Sequence, residues 1–237
     1  DFINSDNAPL DDNMHGTHVA GIAGAVGNNG IGIAGAAWNV KLMPIKVFQS
    51  TGQGNSTTIA DGVEYASNNG AKILNMSFGS YAESFTLKLA LENAYATATL
   101  VAAAGNDFIP LGPCPICAVF YPAAYSYVLG VQDFIGGYDN YDNNNPIFTQ
   151  YAELFNYELQ APGTSIMSTI PNGGYRTLTG TSMATPLLAG GIALYKEQKP
   201  NDTGELMMGS LINTSTPNVD ILAAIEAEPT PLMALML

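Results

Sequence analysis

The sequence predicts an α/β fold in which a mostly parallel sheet is covered by helices on both faces. Short runs that are apolar on both faces recur along the chain, as in the buried strands of a parallel sheet. Segments of 10–15 residues with apolar residues at helical spacing separate these runs. The chain has 237 residues, of which 47% are hydrophobic, and this is enough to form a full core.

Four segments are predicted to be buried strands, and two are predicted to be helices between them. The strands are residues 40–48, 71–79, 99–106 and 127–132. The helices are residues 56–70, which stop at a glycine, and residues 84–98. No internal repeat or linker divides the chain, so residues 1–228 are predicted to form one domain. Residues 229–237 would begin a linker or a further module.

Two further segments combine small apolar residues with polar residues at their start. Residues 13–26, NMHGTHVAGIAGAV, contain the two histidines of the chain, His15 and His18. Residues 178–198, LTGTSMATPLLAGGIALYKEQ, carry Ser182 in front of a helical run. A serine at a helix start is often a plain cap. A serine nucleophile, by contrast, needs a base to take its proton, and the free N–H groups of a helix start stabilise an oxyanion.

The chain order of these residues distinguishes between known serine–histidine arrangements. His15 precedes Ser182, whereas the nucleophile elbow of α/β-hydrolases places the serine before the histidine. A chymotrypsin-like barrel has the histidine first, but it is all-β, unlike this alternating pattern. The order that remains is Asp, His and Ser on a parallel sheet.

Three motifs in this order resemble the subtilisin-like serine proteases, nearest to their thermitase-like branch. HGTHVAG resembles the histidine block of that family, AAAGN its oxyanion block, and GTSMATP its serine block. The resemblance implies a three-layer subtilisin-like fold. It also implies that His15 is the general base, Ser182 the nucleophile and Asn106 a donor to the oxyanion, with His18 structural. An ordinary turn asparagine is the alternative for Asn106.

The same resemblance implies that an extended peptide substrate pairs with strands of the protein. The substrate-binding residues would be Ser77, Phe78 and Gly79 on one side, Gly52 and Gly54 on the facing side, and Ala103, Ala104, Gly105 and Asp107 around the first specificity pocket. Since small residues wall this pocket, we expect it to accept medium to large apolar side chains. Asp107 at its rim would add tolerance for Lys or Arg.

One member of the family's triad is not found where it is expected. The catalytic Asp of the family lies on the first strand, in a D-[ST]-G block well upstream of the histidine. Only fourteen residues precede His15, and Asp11 and Asp12 belong to the loop that enters the helix. We therefore expect the orienting carboxylate, and the N-terminal strand that carries it, to lie upstream of this sequence. Activity of the chain as given would then be impaired.

Two loops resemble calcium sites of the thermitase-like branch, so structural Ca²⁺ is the expected cofactor. The ligands would be Asp1, Asn4 and Asp6 in the first loop, and the side chain of Asn29 with the carbonyl groups of Val26, Ile31 and Ile33 in the second. A solvated loop rich in Asn, Asp and Gly is the alternative at both places.

Charge and the first residues indicate the compartment and the partners. Asp and Glu outnumber Lys and Arg by 20 to 7, and the net charge of −13 disfavours nucleic acid and anionic membranes. No apolar run reaches the roughly 18 residues of a membrane span. The chain begins at Asp1 without an initiator Met or a signal peptide, so we expect a processing boundary there. These features suit a soluble secreted protein, or one that binds cations.

Two segments are predicted without a role in the chemistry. Cys114 and Cys117 stand in GPCPICA, where a local disulfide or two free thiols are favoured over a redox pair or half of a zinc site. Residues 136–156, rich in Asn, Asp and Tyr, are predicted to form a long surface loop.

We therefore interpret the chain as the catalytic domain of a secreted, monomeric endopeptidase that cleaves peptides or proteins through an acyl-enzyme. The rival hypothesis is a non-catalytic peptide-binding domain that has the same cleft but lacks the triad Asp. A propeptide or the upstream segment is the other expected partner, while nucleic acid and membranes are not expected.

Overall fold

The structure is a computed structural model that describes residues 1–108, 119–133, 158–202 and residue 207. Its main sheet has four parallel strands in sequential order, namely β1 (Ile73–Met76), β2 (Thr99–Ala103), β3 (Leu129–Asp133) and β4 (Glu158–Ala161). In register, Leu74 lies beside Leu100 and Val131 lies beside Leu159. A separate antiparallel hairpin consists of β5 (Ile166–Ile170) and β6 (Gly174–Leu178).

Four helices in the described part of the chain cover this sheet. They are α1 (His15–Gly24), α2 (Ser56–Asn68), α3 (Phe85–Tyr95) and α4 (Thr181–Gln198). The side chains of β2 alternate between two cores, since Leu100 and Ala102 pack against α2 and α3 whereas Val101 packs against α4. Helix α1 packs against α4 and β5. This arrangement confirms the predicted three-layer α/β fold with a parallel sheet between helices.

Local signals explain where two of the helices begin. The side-chain oxygen of Asn55 accepts a hydrogen bond from the Thr58 N–H at 2.8 Å, and Ser84 Oγ accepts one from the Leu87 N–H at 3.3 Å. Caps of this type each contribute about 1 kcal/mol to helix stability. The helices predicted between the strands are confirmed, and each ends slightly earlier than predicted.

The strand predicted at residues 40–48 is not paired in either sheet of the described residues. Its side chains contact helices on both faces, but only Val47 is buried, and Leu42 and Met43 are 49% and 40% exposed. A Cβ placed on Gly62 of α2 would lie 2.5 Å from Val47 Cγ1, and one on Gly24 of α1 would lie 2.5 Å from Val40 Cγ1. In the described residues, the Lys46 carbonyl accepts a backbone hydrogen bond from the Phe2 N–H at 2.9 Å. The prediction of a buried strand was therefore wrong, because hydropathy reports neither the hydrogen-bonding partner that a strand needs nor the exposure of each residue.

The other predicted strands are confirmed as the shorter strands β1, β2 and β3. Strands β4, β5 and β6 were not predicted. The hairpin strands expose Met167 and Tyr175 by 59% and 43%, so they lack the continuous apolar run that identifies a buried strand.

Three of the sequence predictions fall outside the described residues. These are the surface loop at residues 136–156, the pair Cys114 and Cys117, and the linker or module at residues 229–237. In the part that the structure describes, no helix is both long and apolar enough to cross a membrane.

The hairpin holds α1 through hydrogen bonds to backbone carbonyls. Ser168 Oγ donates to the His18 carbonyl at 2.7 Å, and Thr169 Oγ1 donates to the Thr17 carbonyl at 3.0 Å. His18 is fully buried, and its Nε2 lies 2.9 Å from the Arg176 carbonyl of β6. The close approach requires a glycine at position 21, because a Cβ there would lie 2.3 Å from Thr169 Oγ1.

Gly16 and Gly21, two of the three glycines of α1, are therefore expected to respond in opposite directions to alanine. Gly21→Ala should lower the free energy of unfolding by about 1–3 kcal/mol, since its methyl group overlaps the hairpin hydroxyls. Gly16→Ala should raise it by up to about 1 kcal/mol, because alanine is the better helix former and the nearest atom to its Cβ, Asp11 Oδ2, is 3.6 Å away. Urea denaturation measures both values, and equal effects of the two substitutions would contradict this packing.

Candidate active site

The Asp11 carboxylate caps the first turn of α1, in front of His15. Its Oδ1 accepts from the N–H groups of Asn13 at 2.9 Å and Met14 at 2.8 Å. Its Oδ2 accepts from the N–H of Thr17 at 2.7 Å and from the hydroxyl of the same residue at 2.6 Å. Burial opposes ionisation of this carboxyl, but the four hydrogen bonds outweigh burial and lower its pKa. Sequence reasoning placed Asp11 in the loop but missed this capping role, which an Asp just before a helix indicates.

His15 is the first residue of α1, and its surroundings favour the neutral imidazole. Burial is the largest influence and lowers the pKa of His15, the Asp11 carboxylate raises it, and His18 lowers it further. The net effect is a pKa below the usual range. Within the described residues, no hydrogen bond joins the His15 ring to a carboxylate. A neutral imidazole is the form that a general base needs.

Met14, directly before His15, has a left-handed backbone with φ 82° and ψ −23°. This region costs a residue with a Cβ roughly 1–2 kcal/mol, whereas glycine adopts it freely. The Met14 sulfur accepts a hydrogen bond from Arg176 Nη1 at 3.5 Å. The strain therefore lies at the junction between the capping loop and α1.

Ser182 lies in the first turn of α4 and is tied to the segment that follows β1. Its hydroxyl donates to the Ser77 carbonyl at 3.1 Å, and the Ser77 hydroxyl donates to the Ser182 carbonyl at 2.9 Å. This reciprocal pair holds the helix start against the end of the strand.

Asn106 follows β2 and is held by the residue before Ser182. Its Oδ1 accepts from the Thr181 N–H at 2.8 Å and from the Thr181 hydroxyl at 3.1 Å. These two bonds fix the plane of the amide group and so the direction of its NH₂ donor. Gly180 lies close by with φ 152°, and a Cβ there would lie 3.2 Å from Asn106 Oδ1. Neither Gly180 nor Thr181 was identified from the sequence, although both stand in the GTS motif.

Asp133, at the end of β3, was also missed. This buried carboxylate accepts from the Gly163 N–H at 2.8 Å and from the Thr164 hydroxyl. The Gly163 carbonyl in turn accepts from the Gly180 N–H at 3.0 Å. A buried Asp at the carboxyl end of a parallel strand was the signal that could have identified this support of the helix start.

The turn that contains Gly52 and Gly54 lies beside both Phe78 and the loop before His15. The rings of Phe48 and Phe78 are 5.0 Å apart between centroids. A Cβ on Gly54 would lie 2.7 Å from the Phe48 ring, and Gly52 has φ 79°. On the other side, Asn13 Nδ2 donates to the Ser50 carbonyl at 2.7 Å.

The predicted pocket residues lie where the segments after β1 and β2 diverge. Ala103 and Ala104 are buried at the end of β2, next to Asn106. Asp107 is exposed and accepts a hydrogen bond from the Tyr81 hydroxyl at 2.7 Å. The structure thus brings Ser77, Asn106 and Ser182 together around one helix start. The roles assigned to these residues stay predictions.

The predicted calcium ligands are engaged with nearby donors of the chain. The Asp1 carboxylate accepts from the N–H groups of Ile3 and Asn4 at 2.8 and 2.9 Å, and from Asn4 Nδ2 at 2.9 Å. Asn29 Oδ1 accepts from the Ile31 N–H at 3.0 Å. Among the described residues, no group of three or more His, Cys, Asp and Glu side chains is arranged to hold a metal. The side chains thus fit the proposed ion only in part, and the carbonyl ligands stay predictions.

Comparison with known proteins agrees with the arrangement described above. The model of the Peptidase S8, or subtilase, family matches residues 1–227. The alkaline protease of Alkalihalobacillus alcalophilus is 38% identical over 215 residues, which cover 91% of this chain and 53% of that protein. Subtilisin Savinase of Lederbergia lenta is 37% identical, with 91% of this chain and 75% of that protein covered. The chain thus spans about half the length of the first relative.

A solved structure gives the same result for the fold. Sphericase superposes with a TM-score of 0.77 at 31% sequence identity, and the match covers 88% of this chain and 71% of sphericase.

Replacing Met14 by glycine is expected to stabilise the protein. Met14→Gly removes the left-handed strain, and after the greater chain entropy of glycine is subtracted a gain of about 0.5–1 kcal/mol in unfolding free energy remains. The matched control is Met14→Ala, which keeps the Cβ but loses the sulfur contact with Arg176. An equal gain in both variants, measured by urea denaturation, would show that backbone strain is not the cause.

The pKa of His15 in residues 1–237 is expected to lie below the usual histidine range, since burial is the largest influence on it. Asp11→Asn should lower this pKa further, because it removes the carboxylate that favours the imidazolium. The unfolded chain then binds the proton more readily than the folded chain, so stability should fall as pH drops through the ordinary histidine range. NMR titration of the two histidines measures this, with His15→Gln to assign the signal. A rise of the pKa in Asp11→Asn would contradict the electrostatic argument.

Proposed function

The chain belongs to the subtilase family, and on that premise we propose that it is a serine endopeptidase that hydrolyses peptide bonds through an acyl-enzyme. Ser182 is the nucleophile, His15 the general base, and Asn106 the side-chain donor to the oxyanion. The observation that supports this proposal best is the start of α4, where Ser77 and Asn106, from the ends of two adjacent strands, bond to consecutive residues of the helix.

The chemistry follows from these groups. In the resting geometry the Ser182 hydroxyl donates to the Ser77 carbonyl, so it must turn towards His15 before it attacks. The neutral His15 takes the proton as Ser182 Oγ bonds to the scissile carbonyl carbon. The N–H of Ser182 and the amide of Asn106 then stabilise the oxyanion. The imidazolium returns the proton to the leaving amine, and a water molecule repeats the sequence on the ester.

We place the third member of the triad on a strand upstream of Asp1. In the described residues β1 pairs on one side only, with β2, and the extended segment at residues 40–48 lies under the same helix α2 without a partner in a sheet. A parallel strand between them would find backbone partners on both sides. Its carboxyl end would lie at the same edge of the sheet as Ser77 and Asn106, where a carboxylate can orient His15.

The competing function is a non-catalytic domain that binds peptides in the same cleft. This function would apply if the complete protein carried no carboxylate to orient His15, because Ser182 would then lack most of its activation. The gene sequence upstream of Asp1 distinguishes the two, since a D-[ST]-G block favours the enzyme.

Labelling with a fluorophosphonate probe tests the nucleophile. We expect the complete gene product to be labelled at Ser182, and Ser182→Ala to lose both the label and peptidase activity. Ser67→Ala is the control, because the side chain of this half-buried serine of α2 bonds only to Thr97 Oγ1, at 3.1 Å, in the described residues. Labelling elsewhere, or full activity of Ser182→Ala, would overturn the assignment.

The upstream carboxylate has its own test. The kcat of subtilisin falls about 3 × 10⁴-fold when its triad Asp alone is removed. This is a known figure for that enzyme and was not obtained from this chain. Residues 1–237 alone should therefore be less active than the complete protein by about four orders of magnitude. An upstream peptide with the Asp should restore activity, and one with Asn should not. If the activity were equal without the peptide, Asp1, Asp6, Asp11 and Asp12 would become candidates for the third member of the triad.

Calcium and secretion complete the proposal. Clustered oxygen ligands in the loops of Asp1 and Asn29 are of the type that calcium prefers, and a ligand that binds only the folded state raises its stability. We expect a chelator to lower the melting temperature of the complete protein and added Ca²⁺ to restore it. An unchanged melting curve in excess chelator would exclude both sites. The acidic composition suits a secreted protein, which fractionation of the culture medium tests.

A further inference from the structure

A chain of hydrogen bonds runs from the side chain of Asn75, on β1, to the backbone of Ser182. Asn75 Nδ2 donates to Ser77 Oγ at 3.0 Å, and Ser77 Oγ donates to the Ser182 carbonyl at 2.9 Å. Consecutive hydrogen bonds of this kind strengthen each other by polarisation. Asn75 thus reaches the first turn of α4 through a single hydroxyl group.

The amide of Asn75 determines where the proton of the Ser77 hydroxyl goes. A hydroxyl group has one proton to donate, and an amide NH₂ group can only donate. Because Asn75 Nδ2 occupies an acceptor position of Ser77 Oγ, the hydroxyl proton is left for the Ser182 carbonyl. Without the amide, the hydroxyl can rotate, and its bond to the helix start loses its orientation.

The position of Asn75 is set by the sheet. Asn75 lies beside Val101 of β2 in the parallel register, and its neighbours Leu74 and Met76 are buried in the core formed with α2 and α3. Ile73, on the same face of the strand as Asn75, packs against the core formed with α4. The amide is therefore carried towards α4 by a strand that is held on its other face, as a positioning group requires.

The other end of the same amide is unpaired in the part of the chain that the structure describes. Asn75 Oδ1 is buried there without a hydrogen-bond partner. Buried acceptors of this kind are rare and costly, so each needs an explanation. A leucine, which is similar in size, would avoid the cost. What leucine lacks is the donor that Asn75 supplies to Ser77.

The reciprocal bond between Ser77 and Ser182 explains when this support matters. The Ser182 hydroxyl donates to the Ser77 carbonyl at 3.1 Å, and this bond breaks when the hydroxyl turns towards His15. The bond from Ser77 Oγ to the Ser182 carbonyl can then still hold the helix start against the strand end. This is the bond that Asn75 orients.

We propose that Asn75 is a positioning residue for the proposed nucleophile, and that it acts through the Ser77 hydroxyl on the backbone of Ser182. The inference rests on the proposed peptidase function. Because Asn75 acts on the backbone of the nucleophile rather than on the bound peptide, it affects kcat and not KM. Neither the amide nor the hydroxyl titrates, so the effect is independent of pH.

Kinetics of the complete gene product test the proposal. We expect Asn75→Leu to lower kcat about tenfold, the equivalent of one ordinary hydrogen bond, and to leave KM unchanged. The pH profile of kcat should fall in height and keep its shape, because no charge is removed. Asn75→Ala is a second variant that adds no atoms, and the same loss is expected of it. Asn69→Leu is the matched control, since this exposed asparagine after α2 bonds locally to the Tyr65 carbonyl at 2.8 Å.

A double variant tests the route through Ser77. Ser77→Ala should also lower kcat, and the addition of Asn75→Leu should cause no further loss, since the amide acts only through that hydroxyl. An additive loss would overturn the inference. So would a larger fall in unfolding free energy in Asn75→Leu than in Asn69→Leu, because the amide would then serve stability.

The remaining outcomes separate this inference from the proposed function. If the wild-type protein is labelled at Ser182 and cleaves peptides, but both Asn75 variants keep their kcat, raise KM instead or alter the shape of the pH profile, the inference alone is wrong. If the wild-type protein neither cleaves peptides nor takes the label at Ser182, the proposed function fails and the inference fails with it. Melting temperatures of all variants establish that each is folded.

Discussion

The start of α4 is the constraint on which the rest of the site depends. Three consecutive residues there are tied to three different segments. Gly180 donates to the Gly163 carbonyl, Thr181 donates twice to Asn106, and Ser182 exchanges two bonds with Ser77. Because β1 and β2 are parallel neighbours, the residues that follow them emerge at one edge and can reach the same helix turn. The N–H groups of Gly180, Thr181 and Met183 are already bonded, so the Ser182 N–H is the one that this turn presents in the described residues, at a position held by two strands and a buried carboxylate.

Helix α1 is positioned by a different kind of contact, namely close packing at its glycines. Its approach to the β5–β6 hairpin and to the segment at residues 40–48 is so close that Gly21 and Gly24 have no room for a side chain. The run of small residues after the histidines therefore serves packing, and His18 is buried by the same contact. The two neighbouring histidines are thus present for different physical reasons. His18 is part of the packing, and the half-buried His15 stands at the start of the helix.

The fold was largely predictable from the sequence. Hydropathy indicates β1 to β3 and the four helices. Asn55 and Ser84 mark where α2 and α3 begin, and Gly70 marks where α2 ends. The β5–β6 hairpin was not predictable, because its strands are half exposed. Residues 40–48 were predicted as a strand, but strand pairing depends on a neighbouring segment that hydropathy does not report. Motifs identified Ser182, His15 and Asn106. They did not identify the groups that hold these residues. Asp133 and Thr181 bond to segments far apart in the chain, which motifs do not report, whereas Asp11 bonds locally and could have been recognised from its place before the helix.

The electrostatics of the site link Asp11 to His15 without a hydrogen bond between them in the described residues. Asp11 is the carboxylate that raises the pKa of His15, but four donors of its own loop and helix already occupy its oxygens. It can therefore influence His15 through space without orienting the ring. Burial keeps the imidazole neutral, and the Ser182 proton rests on the Ser77 carbonyl. A carboxylate bonded to the other ring nitrogen would change both features together, because it would stabilise the imidazolium and turn the ring towards the serine. Ser182, Asn106 and His15, the proposed nucleophile, oxyanion donor and base, are thus held in place independently of the carboxylate that we propose couples them.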